Sequence, residues 1–171
     1  TDGGGVNHYS PSTNRFTHFP NTNGAKITSI TSYSNEELLI SIYTRGLHLF
    51  NKKTGSYRPF IIVNKKIDNQ ERYYGYLPLA HRVNNEKIYI LGLYAWCYHL
   101  SDQQFTPIKF TDPSTSPSGL KLAFVNDSIS LLTRENCIYM GNLSTDSVSF
   151  CFKIGKEERI NAVSMDKKHR I

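Results

Sequence analysis

The sequence lacks paired cysteines, zinc-ligand spacings and long apolar runs. Its three cysteines, Cys97, Cys137 and Cys151, form neither a CxxC pair nor a Cys/His spacing typical of zinc. An odd number of cysteines cannot complete a disulfide framework, so buried free thiols are expected. No apolar run approaches the roughly 18 residues from which a membrane helix is inferred. We therefore expect no disulfide scaffold, no metal and no membrane span in this segment.

Motifs for enzyme chemistry are also missing. The run Gly3-Gly4-Gly5 is followed neither by Lys-Ser/Thr nor by a predicted helix, which excludes a phosphate-binding loop. The six histidines show no HxxxH or HExxH spacing, and no GxSxG motif occurs. Paired carboxylates for glycoside cleavage need only be close in space, so a carbohydrate-active enzyme stays open as an alternative. We predict no catalytic residue, no cofactor and no enzyme activity for this segment.

The positive charge of the chain does not form a nucleic-acid surface. Twenty Lys and Arg against fourteen Asp and Glu give a formal net charge of +6. A nucleic-acid interface would concentrate basic residues along one stripe. Here they are scattered, as in Lys52-Lys53, Lys65-Lys66 and Lys167-Lys168, and most fall in predicted turns. The sequence therefore predicts no nucleic-acid partner.

What the chain does contain is β-forming residues and a repeat. Eleven Tyr and nine Phe, with many Thr and Ile, favour strands over helices. Residues 1–19 align without a gap on residues 42–60, so that Gly5 matches Gly46 and Phe19 matches Phe60 at an offset of 41. Later copies follow at offsets of 50 and again 41. Such self-similarity indicates a repeat architecture.

Each full repeat reads as four short strands joined by turn residues. In the second copy the predicted strands are 27–33, 38–43, 47–50 and 57–62, and the turns centre on Gly5, Gly46 and Gly55. Four strands every 41–50 residues is the period of a β-propeller blade. The predicted fold is therefore all-β, with four-stranded antiparallel blades. The segment divides into the outer half of a blade, three blades and the inner strand of a further blade: 1–20, 27–62, 77–110, 120–153 and 160–171.

These residues resemble the two-component regulator propeller repeat. The resemblance rests on Gly4-Gly5-Val6-Asn7 with Tyr9 and Pro11, on Gly46-Leu47 with Phe50 and Thr54-Gly55, and on Ile27-Thr28-Ser29-Ile30. It is good over residues 1–62 and poor over 63–159, where Trp96 and Cys137 stand in place of the turn glycine. The family comprises the periplasmic sensor regions of hybrid two-component histidine kinases from gut Bacteroidetes. The resemblance implies a periplasmic, membrane-anchored parent protein that senses oligosaccharides from polysaccharide breakdown.

Blade geometry places one set of loops on a common face. In a propeller, the loops joining strands two and three, and those leading to the next blade, emerge on the same side. That face would combine aromatic side chains, which stack on sugars, with arginines, which bind carboxylate or sulfate groups in a bidentate manner. The long connector 63–76 would contribute three of its residues. The predicted ligand-binding residues are Arg45, Arg72, Tyr73, Tyr74, Tyr94, Trp96 and Arg134.

The sequence thus predicts a non-catalytic, ligand-sensing segment of a propeller. The alternatives are a propeller enzyme, either a polysaccharide lyase or a hydrolase, and a protein-interaction scaffold. Aromatic residues at blade tips also pack against neighbouring blades, so the face could equally bind a second protomer. Because a part of a propeller exposes unpaired strand edges, further blades of a longer chain or a homodimer are the expected partners.

Overall fold

The computed structural model describes residues 4–19, 26–60, 78–155, 160, 163 and 166. Over these residues the chain forms fifteen β-strands and no helix. No described residue therefore belongs to a helix that could cross a lipid bilayer. The chain divides into two compact units, Thr1–Ala80 and His81–Ile171. The prediction of an all-β fold of antiparallel four-stranded sheets is confirmed.

The first unit begins with a two-stranded hairpin. Strand β1 (Val6–Ser10) pairs antiparallel with β2 (Arg15–Phe19). Gly5, just before β1, has a φ of 67°, and a side chain there would overlap the backbone oxygen of Phe19. Glycine is therefore required both by the left-handed conformation and by the close approach of the second strand.

A four-stranded antiparallel sheet completes the described part of the first unit. It consists, in order, of β3 (Ile27–Ser32), β4 (Glu37–Ile42), β5 (Gly46–Asn51) and β6 (Tyr57–Pro59). These strands agree with the predicted ones to within a residue at most ends, because alternating apolar residues and turn residues mark them. The core of this unit contains Val6, Ile27, Ile40, Ile42 and Phe50.

The next sheet has the same order of antiparallel strands. It consists of β7 (Leu79–Arg82), β8 (Lys87–Leu91), β9 (Ala95–His99) and β10 (Gln104–Pro107). Its two central strands are almost wholly buried, and every residue from Ile88 to Leu91 is at most 1% exposed. Burial on both faces of these central strands is consistent with a propeller blade.

The last sheet has five strands. It is built from β12 (Lys121–Val125), β13 (Ile129–Arg134), β14 (Cys137–Asn142) and β15 (Ser147–Lys153), and its outer edge carries β11 (Lys109–Phe110). Side chains from this sheet and the preceding one share a core that includes Tyr89, Leu91, Ile108, Leu132 and Val148. Each such side chain contributes about 1.5–3 kcal/mol through removal from water.

Strand β11 departs from the predicted arrangement, in which residues up to 110 ended the blade 77–110. Lys109 and Phe110 instead pair in parallel with Ser147 and Val148 of β15. The amide groups of Lys109 and Thr111 donate to the carbonyl oxygens of Asp146 and Val148, both at 2.9 Å. Pairing with β15 satisfies these backbone amides, which would otherwise lack partners. The buried Ile108, between β10 and β11, is where the chain passes from one sheet to the next.

The turn before the fourth strand recurs with the same hydrogen bonds. Asn51 Oδ1 accepts from the amides of Lys53 and Thr54, and the Thr54 and Ser56 hydroxyls lie 2.7 Å apart. At an offset of 91, Asn142 Oδ1 accepts from Ser144 and Thr145, and the Thr145 and Ser147 hydroxyls lie 2.7 Å apart. The fifth residue of each turn, counted from the asparagine, has a positive φ: 69° at Gly55 and 49° at Asp146. The structure therefore repeats in its turns as well as in its strands.

Candidate functional site

The predicted ligand-binding residues are divided between the two units, and three of them lie outside the described residues: Arg72, Tyr73 and Tyr74. In the first unit, Arg45 is exposed in the turn between β4 and β5. Its backbone amide donates to Ile42 O at 3.0 Å, and the next residue, Gly46, has a φ of 77°. The left-handed glycine lets the turn close while the side chain of Arg45 stays in solvent.

In the second unit, Tyr94 and Trp96 differ in their accessibility. Tyr94 is half-buried in the turn that precedes β9. Trp96 lies inside β9, where it pairs with Ile90 on one side and Pro107 on the other, and it is 8% exposed. Strand β9 begins at Ala95, one residue before Trp96, so Trp96 is a strand residue with a buried ring. Of the two aromatic side chains, only that of Tyr94 presents appreciable surface to a ligand.

Arg134 belongs to a cluster of loops in the second unit. Its Nη1 donates to the carbonyl oxygen of Ser116, and its guanidinium lies over the Tyr139 ring, 5.8 Å from the centroid. The same connector is joined to the turn of Tyr94, because the amide of Gly119 donates to Gly92 O at 3.1 Å. The structure thus links the turns of Tyr94 and Arg134 through residues 116–119.

Asn136 anchors the segment that follows the last sheet. It is 6% exposed, and its Nδ2 donates to Ile154 O at 3.1 Å and to Gly155 O at 2.6 Å. Sequence reasoning did not single out this residue, because a turn asparagine has no distinctive pattern. Its contacts fix the turn of Arg134 against the connector after β15, so that the Arg134 side chain projects from a rigid base.

A second polar cluster lies between the last two sheets and was not expected from the sequence. Lys87 Nζ lies 2.9 Å and 3.0 Å from the two carboxylate oxygens of Asp146, and it also donates to Leu143 O at 2.7 Å. His99 Nε2 is 3.6 Å from Asp146 Oδ2 and 2.9 Å from the hydroxyl of Thr106. Cys97, which is fully buried, completes the group. We call Lys87, Cys97, His99 and Asp146 the inter-sheet cluster.

Burial dominates the electrostatics of the inter-sheet cluster. Burial, followed by the charge of the Asp146 carboxylate, raises the pKa of the Cys97 thiol to about 12, while Lys87 opposes the shift. Burial, again followed by the charge of Asp146, also raises the pKa of the nearby Tyr89 hydroxyl. The Lys87 and Asp146 side chains are only 12% and 15% exposed, so their pairing is sheltered from solvent screening.

One signal in the sequence could have identified Asp146. It occupies the repeated turn position held by Asn14 and Gly55 in the first unit, and all three residues have φ values between 49° and 69°. A left-handed conformation is uncommon for residues other than glycine, with asparagine and aspartate the usual exceptions. An aspartate therefore suits this turn position, and its carboxylate is also placed to pair with Lys87.

A half-open groove of about 470 Å³ lies beside the cluster, on the turns of the other set, which join first to second and third to fourth strands. Its lining is mostly polar and comprises Asn84, Glu86, Lys87, Asp127, Ser128, Ile129, Asn142, Leu143 and Ser144. Three side-chain amide oxygens hold these turns in place by accepting backbone amides: Asn84, Asn126 and Asn142. The groove is thus distinct from the loops that carry Tyr94 and Arg134.

Comparisons with known proteins identify the fold. No protein-family model matches the sequence, and no curated protein matches it. Among solved structures, the extracellular domain assigned to the hybrid two component system BT4673 of B. thetaiotaomicron has a TM-score of 0.65 at 15% identity. A second structure of the BT4673 extracellular domain, assigned there to a one component system, has a TM-score of 0.62 at 13% identity. The extracellular domain assigned to the hybrid two component system BT3049 of the same organism has a TM-score of 0.52 at 18% identity.

These matches extend over nearly all of this chain but over a small part of the other proteins. They cover 98% of this chain and 22% of the BT4673 domain in both structures. For BT3049 the corresponding shares are 86% and 20%. The chain spans about a fifth of the length of the domains it matches. The predicted resemblance is confirmed at the level of the fold: the chain folds like a segment of the extracellular region of a hybrid two-component system.

Proposed function

We propose that this chain is a non-catalytic, ligand-sensing segment of a hybrid two-component sensor, and that it lies outside the cytoplasmic membrane. The observation that carries the proposal is the fold shared with the extracellular domains of such systems over 98% of the chain. A sensor domain needs a ligand site whose occupancy favours one of two states of the parent protein. The loop cluster of Tyr94 and Arg134 is the place we assign to that site.

The geometry of this loop cluster supports ligand binding. Loops on a rigid scaffold carry recognition residues more often than strands do. The Arg134 guanidinium is positioned by Ser116 O and by the Tyr139 ring, and it is still half-exposed. A positioned guanidinium loses less side-chain entropy when it binds a carboxylate or sulfate. Tyr94 adds an aromatic surface on the linked turn.

The ligand class that fits these groups is an oligosaccharide, in particular one that carries carboxylate or sulfate groups. Tyrosine rings stack on the apolar faces of sugars, and arginine binds acidic substituents through paired hydrogen bonds. In the parent protein, further blades or a second protomer would contribute the remaining surface. Signalling would follow from a change in the arrangement of these parts when the ligand binds.

Calorimetric titration of the full chain with neutral, carboxylated and sulfated oligosaccharides tests the proposal. We expect an acidic oligosaccharide to bind, and Arg134→Met to weaken binding about ten-fold or more, since hydrogen bonds to a charged group contribute about 1.5–3 kcal/mol. The control is Arg58→Met, which removes an arginine from the outer strand of the first sheet. Equal affinities of the two variants would exclude the assigned site.

The same panel separates sensing from catalysis. Cleavage of any polysaccharide by the purified chain, detected as new reducing ends or unsaturated products, would replace the sensor assignment with the lyase or hydrolase alternative. Binding of no oligosaccharide, together with concentration-dependent self-association, would favour the interaction scaffold instead.

A further inference from the structure

We propose that Cys97, His99 and Asp146 form a binding site for a divalent transition-metal ion, and that zinc is the ion that suits it best. Each residue offers one ligand atom, and these three atoms all lie within 4.8 Å of one another. Two of the residues come from β9 and the third from the turn between β14 and β15. A bound ion would therefore join two sheets. This inference does not depend on the proposed function.

The spacing of the ligand atoms suits tetrahedral coordination. Cys97 and His99 are two residues apart on one strand, so their side chains project from the same face of β9. His99 Nε2 and Asp146 Oδ2 are 3.6 Å apart. Nitrogen and oxygen ligands on a tetrahedral zinc ion are separated by about 3.4 Å, given bond lengths near 2.0–2.1 Å. Only a small movement would bring both atoms to bonding distance from one ion.

The types of ligand favour zinc over hard cations. Thiolate and imidazole select zinc, whereas magnesium and calcium prefer sites built from oxygen alone. Three protein ligands would leave a fourth position for water, as in open zinc sites. The partial exposure of the His99 and Asp146 side chains, 23% and 15%, provides a path for the ion to a thiol that is itself buried.

Two groups compete with a metal ion for this site. The Lys87 ammonium already neutralises Asp146, and the Thr106 hydroxyl is hydrogen-bonded to His99 Nε2. A zinc ion would have to replace both interactions. The Cys97 thiol would also lose its proton to solvent as the sulfur–zinc bond forms, so binding releases one proton. These competitors predict weak binding by the native chain and tighter binding when either is removed.

Cobalt(II), which substitutes for zinc in tetrahedral sites, gives a direct spectroscopic test. Titration of the full chain with CoCl₂ should produce a sulfur-to-cobalt charge-transfer band in the near ultraviolet and visible bands of tetrahedral cobalt, both removed by excess ZnCl₂. The band requires a thiolate ligand, so histidines elsewhere on the surface cannot produce it. The control for Cys97→Ser is Cys151→Ser, which removes a half-buried thiol of another strand.

We expect Cys97→Ser to abolish the band and Cys151→Ser to retain it. Lys87→Met and Thr106→Val should each tighten zinc affinity, the first by about ten-fold or more because it removes a neighbouring positive charge. Thr106→Val alters only a hydroxyl on β10, so it tests the competition even where Lys87→Met fails to fold. Absence of the band in both the native chain and Thr106→Val, or its persistence in Cys97→Ser, would overturn the proposal.

Discussion

The turns 51–56 and 142–147 share the same side-chain hydrogen bonds. They differ at the residue of left-handed conformation, whose side chain takes no part in those bonds. In both, an asparagine side chain accepts two backbone amides and a threonine hydroxyl meets a serine hydroxyl. The left-handed position is Gly55 in the first turn and Asp146 in the second. The repeat therefore preserves the turn, while the side chain at this one position is free to acquire a new contact.

The strand β9, which faces Asp146 in the inter-sheet cluster, also differs from its counterpart β5 in the first four-stranded sheet. Strand β5 carries Leu47 and Leu49, at most 6% exposed, where β9 carries Cys97 and His99 at an offset of 50. The first four-stranded sheet thus has two leucines where the next sheet has a buried thiol and an imidazole. The lesson is that the inter-sheet cluster needed changes on two sheets at once, because a buried carboxylate without partners would destabilise the fold.

The largest effect is expected from Lys87→Met, which removes the cation of the inter-sheet cluster. It leaves the Asp146 carboxylate 15% exposed and without its ion pair, and loss of one partner of a buried pair costs about 3–5 kcal/mol. Urea denaturation followed by tyrosine and tryptophan fluorescence measures the change in the free energy of unfolding. The double variant Lys87→Met/Asp146→Asn removes the charge and keeps a residue that tolerates the φ of 49°, so it should regain much of the loss. If it is less stable still, the cost does not come from the unpaired carboxylate.

The next largest effect on stability is expected when Gly55 and Asp146 are each replaced by the residue of the other turn. Gly55→Asp should destabilise the first unit by about 1–3 kcal/mol, because φ is 69° and the added Cβ would overlap the ring of Phe19. Asp146→Gly relieves the left-handed strain but removes the partner of Lys87. Thermal unfolding of both variants checks whether the two turns differ as described. An unchanged melting temperature for Gly55→Asp would contradict the close contact with Phe19.

A smaller effect concerns pH, and it involves the buried His48 of β5 and the half-buried His81 of β7. Burial lowers the pKa of His48 and of His81, so the unfolded chain takes up protons at these sites before the folded chain does. Their contribution to stability is complete above about pH 6.5 and is lost as the pH falls through the lower folded-state pKa. His81→Leu should flatten this acid-side loss in urea denaturation series between pH 8 and pH 5. An unchanged slope in both His81→Leu and His48→Leu would refute the assignment.

The smallest effect is expected at the exposed ion pair of the first sheet. Arg58 Nη2 lies 3.3 Å from Glu37 Oε1, but the Arg58 side chain is 64% exposed. Such pairs contribute about 0–1 kcal/mol, and salt screens them. Arg58→Met should therefore change the free energy of unfolding far less than Lys87→Met does. A loss comparable to that of Lys87→Met would remove the distinction between the buried and the exposed pair.

Much of the fold could be predicted because turn residues recur at the same positions of each repeat. The alignment of Gly5 with Gly46 and the alternation in residues 27–62 are local patterns that specify strands and turns directly. Strand β11 escaped prediction because two residues carry no periodicity, and its partners lie in β15. Trp96 was expected on the loop face, but its equivalence to Gly46 placed it at the start of a strand, where its ring is buried.

The candidate sites could be predicted only in part, because local patterns do not show which distant residues pack together. That the turns of Tyr94 and Arg134 lie close together could be expected, because loops of one set share a face in a blade architecture; their role in ligand binding stays a prediction. The inter-sheet cluster combines Lys87 and Cys97 with Asp146, which lies 59 residues after Lys87 along the chain. No spacing rule describes such a set. Only packing of one sheet on the next brings these side chains together.

The short parallel strand β11 has a mechanical consequence for the second unit. Its bonds to Asp146 O and Val148 O run between strands that point in the same direction, so tension along the chain would load them in shear rather than open them one at a time. A sheet joined to its neighbour in this manner resists peeling from its outer edge. Strain applied to one of the two sheets would accordingly be transmitted to the other through these backbone hydrogen bonds.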